Sequence, residues 1–125
     1  MNPLIIESTD TTLQVNLNKS TGVFEFSGRS RPEDIVRFFK PIFDWFKEYE
    51  SDPNPETVVT FKMDYFNSSS AKVLLRFLVF IEDMFNKGIN IRIKWCYVVN
   101  DDDMLETGED YSTLIKVPFE FEEIE

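Results

Sequence analysis

Histidine is absent from this sequence of 125 residues. Ser-His-Asp and Cys-His nucleophilic catalysis, zinc sites with imidazole ligands and phosphohistidine relays all require that side chain. Its absence excludes most of the common hydrolase mechanisms. We expect a protein that is not an enzyme and that carries no cofactor.

Cysteine and long apolar runs are equally scarce. Cys96 is the only cysteine, so no disulfide can form within the chain, which fits a reducing compartment. No apolar run approaches the roughly 18 residues of a membrane span, and the opening segment MNPLIIESTD lacks the features of a signal peptide. We expect a cytoplasmic protein without membrane insertion.

Basic residues are few. Lysine and arginine number 13 against 23 acidic residues, which gives a formal net charge of −10, and they are scattered along the sequence rather than grouped in a stripe. Because such a charge repels polyanions, nucleic acid and anionic membrane surfaces are poor partners. Proteins and small ligands remain as candidates.

Apolar and aromatic residues are plentiful. They make up 42% and 15% of the chain, with only 4 glycines, a composition typical of a folded domain rather than of a disordered or low-complexity chain. The length suits one hydrophobic core. We expect a single domain over residues 1–125.

Apolar and polar residues alternate in several segments, as in half-buried strands. A turn at residues 18–22 separates two such segments and predicts an antiparallel hairpin. Pro118 interrupts the last segment and favours an edge position. The predicted strands are residues 4–6, 11–18, 23–27, 57–65, 89–98 and 115–124.

Helical spacing of apolar residues predicts three helices. A capping box at residues 30–33 predicts that the first starts near Arg31. The second covers residues 70–87 with Gly88 as its C-cap, and the third covers residues 100–114. A hairpin followed by alternating helices and strands predicts an α/β fold with one mixed sheet.

The first two helices carry apolar residues beside their main stripe. These either pack against the sheet and each other or leave an exposed aromatic patch, which would mark a protein contact. The residues are Phe39, Phe43, Trp45, Val73, Phe77, Phe80 and Met84.

The segment DYFNSSSAK, residues 64–72, changes from strand to helix within three residues and carries three serines. Serine and asparagine cap helix starts, because their side-chain oxygens accept bonds from free N–H groups. The same donors and partial positive charge also tolerate a phosphate. A phosphate buried under a docked partner would cost several kcal/mol. Simple capping and a phosphorylation switch both remain open from these residues alone.

Motifs along the chain carry a family resemblance. They are GRSRPED (28–34), FDWFKEY (43–49), DYFNSSSAK (64–72), KWCY (94–97), ETGEDY (106–111) and PFEF (118–121). In this order, over nearly the whole chain, they resemble the SiaC family of bacterial regulatory phosphoproteins. The resemblance implies a fold like the STAS domains of anti-sigma-factor antagonists.

The resemblance also implies a function. Family members are phosphorylated by a partner kinase, dephosphorylated by a partner phosphatase and, when unphosphorylated, bind and activate a diguanylate cyclase that promotes biofilm formation and aggregation. The phosphoacceptor is a threonine in an N-T-S-S junction; Ser68 matches it here, with Ser69 and Ser70 as alternatives. The partner-binding residues that we expect are Tyr65, Phe66, Asn67, Ser69, Lys72, Arg76, Glu106 and Glu109.

Other assignments remain beside this one. Six acidic residues, at positions 101–103, 106, 109 and 110, lack the calcium-loop pattern; they are expected to be solvated or, given the resemblance, to contact a basic partner surface. A STAS-like antagonist of an anti-sigma factor is the alternative function. An enzyme would need paired carboxylates such as Asp64 and Glu109 as acid and base.

Overall fold

The computed structural model describes all 125 residues and contains six strands and three helices. The strands are β1 (Leu4–Ile6), β2 (Gln14–Asn18), β3 (Val23–Ser30), β4 (Thr57–Phe66), β5 (Ile91–Val98) and β6 (Phe119–Ile124). The helices are α1 (Ile35–Tyr49), α2 (Ser68–Asn86) and α3 (Asp102–Leu114). Every predicted element is present, with end points that differ by a few residues. None of the helices has the length and apolar character that crossing a membrane requires.

All six strands form one sheet, in the spatial order β1 to β6. The first three strands pair antiparallel, while β3, β4, β5 and β6 pair parallel. A tight turn between β2 and β3 permits antiparallel pairing, whereas each helix carries the chain back to begin a parallel strand. The predicted hairpin and the predicted α/β fold with a mixed sheet are confirmed.

The helices cover one face of the sheet. Phe26, Phe61 and Trp95 form a row across three neighbouring strands on that face. The ring of Phe26 stacks on Phe39 of α1 at 6.1 Å, and Trp95 contacts Tyr111 of α3 at 5.8 Å. A core of 27 buried residues lies between sheet and helices, and burial of this apolar surface is the main driving force for folding.

The additional apolar residues of α1 and α2 pack rather than form an exposed patch. Phe43 and Phe80, which are half-buried, contact each other edge to face at 5.7 Å. Their neighbours are buried and belong to the core: Phe39, Trp45, Val73, Phe77 and Met84. The packing interpretation is therefore confirmed.

The opposite face of the sheet carries ion pairs instead of helices. Lys62 lies 3.6 Å from Glu25, and Lys94 lies 2.6 Å from Glu122. Cys96 shares this face with Lys94 and is buried, and desolvation raises the pKa of its thiol. Parallel strands are usually covered on both faces. Here charged side chains form the layer that meets solvent.

The predicted start of α1 is wrong. Ser30 is the last residue of β3 rather than a helix cap, and the helix begins at Ile35. Asp34 caps it, because its carboxylate accepts a bond from the Arg37 N–H at 3.1 Å. Capping by Ser30 is prevented because its hydroxyl is buried against Ser70.

Tyr65 lies on the exposed side of β4, although in the sequence it continues the alternation of Val59, Phe61 and Met63, which are buried. Gly28 pairs with Met63 but Arg29 pairs with Tyr65, so the register shifts by one residue at Asp64. Since side chains alternate along a strand, one extra residue turns the following side chain to the other face. Tyr65 is consequently 48% exposed.

Gly108 has a packing role within α3. A Cβ atom at this position would lie 2.5 Å from the Trp95 indole. Glycine is a poor helix former, but here it lets the helix approach the ring closely. The tryptophan N–H then donates to the Met104 carbonyl at 3.0 Å.

Candidate functional site

The serine junction lies at the edge of the sheet where the parallel strands end. β3 ends at Ser30 and β4 at Phe66, and the Asn67 N–H donates to the Ser30 carbonyl at 3.0 Å. α2 begins at the next residue, Ser68. Sites in α/β sheets commonly form beyond the carboxyl ends of the parallel strands. The chain order therefore puts all three serines at that edge.

Asn67 caps α2. Its side-chain oxygen accepts a bond from the Ser70 N–H at 2.9 Å, and its backbone is extended. This cap explains why the helix begins at Ser68 rather than at Ser70, where periodicity predicted it. The first N–H groups of a helix lack acceptors within the helix and carry partial positive charge. The junction thus favours a negative group beside the first turn.

The three serines of the junction differ in exposure. Ser68 and Ser69 are exposed, whereas Ser70 is buried. The Ser70 hydroxyl donates to the Ser30 carbonyl at 3.0 Å and lies 2.8 Å from the Ser30 hydroxyl. An enzyme that modifies this segment therefore finds two hydroxyls at the surface. The third is used to join α2 to β3.

Two arginines border the junction on the β3 side. Arg29 and Arg31 are exposed and line a polar cleft of about 400 Å³ together with Asp64. Sequence reasoning did not single them out as site residues, although both belong to the GRSRPED segment. Only the strand order could have indicated them. β3 and β4 are parallel neighbours, so the residues that end β3 lie beside those that end β4.

An acidic cleft lies on the other side, between β4 and α3. Its volume is about 260 Å³; Tyr65 and Phe66 line it together with Asp101 and Asp103. Tyr65 is exposed, while Phe66 is half-buried and packs edge to face on the core. The junction is thus flanked by arginines on one side and by carboxylates on the other.

The acidic helix α3 is firmly attached to α2. The Tyr111 hydroxyl donates to the carbonyl of Ala71, the residue directly after Ser70, at 3.1 Å. Burial raises the pKa of Tyr111 from its ordinary value of 10.0 to about 12, so the phenol remains a donor even at mildly alkaline pH. This bond links α3 to the first turns of α2.

The predicted partner-binding residues are distributed over several surfaces. Tyr65 and Phe66 line the acidic cleft, the Asn67 side chain is occupied as the cap, and Arg76 lines a separate groove between α1 and α2. The remaining members are exposed on α2 and α3: Ser69, Lys72, Glu106 and Glu109. Contact of these residues with a partner stays a prediction.

The carboxylate pair of the enzyme hypothesis is not brought into one cleft. Asp64 lines both clefts beside the junction, but Glu109 lines neither. No three acidic or cysteine side chains come close enough together to hold a metal ion. What the junction presents at the surface is the two exposed hydroxyls of Ser68 and Ser69.

Comparisons with known proteins agree with this description. The sequence model of the SiaC family regulatory phosphoproteins matches residues 6–124. An uncharacterized protein of Pseudomonas aeruginosa (strain UCBPP-PA14) is 24% identical over 119 residues, which cover 95% of this chain and 94% of that protein.

Solved structures share the fold. The apo-SiaC crystal structure from Pseudomonas aeruginosa superposes with a TM-score of 0.88 at 23% identity, covering 98% of this chain and 99% of that one. A second is a crystal structure of the diguanylate cyclase SiaD in complex with its activator SiaC from the same organism. One chain of it gives a TM-score of 0.90 at 22% identity, covering 97% of this chain and 99% of that one. The match over almost the whole chain, together with the serine junction at the start of α2, shows that this protein belongs to the SiaC family of regulatory phosphoproteins.

Proposed function

We propose that this protein is a cytoplasmic signalling adaptor without catalytic activity of its own, which binds and activates a diguanylate cyclase. A partner kinase phosphorylates Ser68, a partner phosphatase removes the phosphate, and only the unphosphorylated form activates the cyclase. Membership of a regulatory phosphoprotein family supports the switch, and the solved complex of SiaC with SiaD supports the target class. The observation that carries the proposal is an exposed hydroxyl on the first residue of α2.

The fold tolerates a phosphate at Ser68. The group brings about −1.5 to −2 charges at pH 7, and the helix start offsets part of their repulsion by about 0.3–1 kcal/mol. The protein is acidic overall, but Arg29 at the end of β3 and Arg31 just after it are exposed and line a cleft with Asp64, four residues before Ser68. Phosphorylation should therefore leave the monomer folded.

A docked partner does not tolerate the same group. An uncompensated charge enclosed in an interface costs several kcal/mol, and each ~1.4 kcal/mol is tenfold in affinity. Phosphorylation would thus reduce binding by a hundredfold or more without unfolding the chain. This difference between an open and a covered site is the physical basis of the switch.

Ser68 is favoured over the other two serines. It occupies the position of the threonine in the family junction that the sequence resembles. Ser69 is also exposed and remains the alternative acceptor. Ser70 is 2% exposed and hydrogen bonded to Ser30, so its modification would require local opening of the helix start.

A cyclase assay with charge variants tests the proposal. The protein is titrated against a diguanylate cyclase encoded in the same genome, and cyclic dinucleotide formation from GTP is measured. Wild type and Ser68→Ala should activate, and Ser68→Asp should need at least about tenfold more protein. Ser20→Asp, which adds the same charge in the turn at the other end of β3, is the matched control and should activate normally.

Two results would contradict the proposal. Equal activation by Ser68→Ala and Ser68→Asp would remove the switch, and absence of activation by wild type with every cyclase of the genome would remove the target class. Loss of activation by Ser69→Asp but not by Ser68→Asp would reassign the acceptor. Intact mass and phosphopeptide mapping of protein from its own bacterium identify the modified serine directly.

A further inference from the structure

A groove between α1 and α2 gathers basic residues of this acidic protein. It has a volume of about 580 Å³, and Arg37, Lys40, Lys47 and Arg76 line it. The basic residues are scattered along the sequence, but in the folded structure four of them lie in one groove. The helical repeat of α1 and the packing of α2 beside it bring the four cations to one surface.

Two carboxylates that also line the groove offset part of this positive charge. Lys40 pairs with Asp44 at 2.8 Å, and Asp34 is engaged as the cap of α1. Arg37, Lys47 and Arg76 have no carboxylate partner within 4.0 Å. Four cations against two carboxylates leave the lining positive, in a chain with a net charge of −10.

The groove is long, and its floor is apolar. The side chains of α1 that line it run from the first to the last turn, and the rise of a helix puts Arg37 and Lys47 about 15 Å apart along the axis. Val36 and the half-buried Phe43 contribute apolar surface, and Val36 is 59% exposed, whereas Val73 is buried beneath them. Single exposed apolar residues are common on protein surfaces; the position of Val36 between cations lets one ligand make apolar and charged contacts together.

We infer that this groove binds an acidic amphipathic helix of a partner protein. The apolar stripe of such a helix would lie on Val36 and Phe43, and its carboxylates would meet Arg37, Lys47 and Arg76. A compact small molecule would not use the whole length of α1. Nucleic acid offers no matching apolar stripe, and the net charge of the chain repels it. The inference rests on the groove and not on phosphorylation, although Arg76 is also one of the expected partner-binding residues.

A designed peptide provides the test. The probe is a blocked 16-residue helix-forming peptide with a leucine stripe and glutamates on both sides of it; the control peptide carries glutamine in place of each glutamate. Binding to the full-length protein is followed by backbone amide chemical shifts at low and high salt. We expect the acidic peptide to shift resonances along α1 and at Val73 and Arg76, with weaker binding at high salt.

Charge reversal localises the interaction. Lys47→Glu and Arg37→Glu should each lower the affinity for the acidic peptide by about fivefold or more. Lys116→Glu reverses an exposed lysine that also has no ion-pair partner but lies outside the groove, and it should bind like wild type. Lys47→Gln and Arg37→Gln repeat the test in case a reversal disturbs folding. Each should weaken binding by about twofold.

Several results would overturn the inference. They are equal binding of the glutamine peptide, shifts that map outside the groove, or no binding at millimolar peptide. If the amide resonances of groove residues shift when the protein concentration alone is raised, the groove binds a second copy of this chain. Competition by a single-stranded oligonucleotide at equal concentration would assign it to nucleic acid.

Discussion

The hydroxyl of Ser70 lies 2.8 Å from that of Ser30 and donates to the Ser30 carbonyl at 3.0 Å, although the two residues are 40 positions apart. Both side chains are buried. With the Asn67 N–H, which donates to the same carbonyl, this contact holds the start of α2 against the end of β3. Ser68, two residues before Ser70, is left exposed.

Removal of the buried hydroxyl should destabilise the fold. In Ser70→Ala the Ser30 hydroxyl and carbonyl lose a partner in a buried site, which costs about 1–3 kcal/mol. Ser68→Ala removes an exposed hydroxyl and should change the free energy of unfolding by less than about 0.5 kcal/mol. Urea denaturation of both variants measures the difference; equal effects would show that the contact does not stabilise the helix start.

A negative charge on Ser68 should be tolerated by the monomer. Ser68→Asp should leave the free energy of unfolding unchanged or raise it by about 0.3–1 kcal/mol, because the carboxylate meets the positive end of α2. Ser70→Asp should lower it by several kcal/mol, since the charge would be buried. Thermal unfolding at low and high salt checks both. Destabilisation by Ser68→Asp as large as that by Ser70→Asp would contradict the picture of an open site.

Gly108→Ala should destabilise the protein although alanine is the better helix former. The new methyl group would meet the Trp95 indole at 2.5 Å. Overpacking costs about 1–3 kcal/mol, which exceeds or cancels the gain of about 1 kcal/mol in helix propensity. The neighbouring Glu109→Ala, on the exposed side of α3, is the control. A stabilised Gly108→Ala variant, measured by urea denaturation, would show that α3 can move away from the sheet at no cost.

Alkaline pH should loosen α3 through Tyr111. Burial raises the pKa of this phenol to about 12 in the folded state, above its ordinary value of 10.0. The raised pKa contributes stability that is fully present below about pH 10 and is lost as pH rises toward 12. In Tyr111→Phe this part of the alkaline loss should disappear, and the tyrosine absorbance change near pH 12 should shrink. An identical pH profile for both proteins would contradict the assignment.

Local patterns predicted much of this fold. The alternation in β4 and β5, the turn between β2 and β3, and Gly88 after α2, with a φ of +95°, are short-range features, and the structure contains them all. The start of α1 was predicted wrongly because Ser30 matched a capping pattern while its hydroxyl was committed to Ser70. A contact over 40 positions leaves no trace in a local pattern.

The candidate site was predicted less completely. The DYFNSSSAK junction and the acidic start of α3 could be recognised from residue types, because helix caps and charges act within one turn. The exposure of Tyr65 depends on a register shift against β3, and the proximity of Arg29 and Arg31 depends on parallel pairing. Both required knowledge of which strands are neighbours.

By itself the sequence determined the elements, their order and the acidic character of the protein, since propensity, periodicity and charge are properties of short segments. Only the tertiary structure decided that Ser70 is enclosed while Ser68 is open, and that Arg37, Lys47 and Arg76 share one groove. The physical reason is that exposure and charge grouping arise from packing between elements distant in the chain.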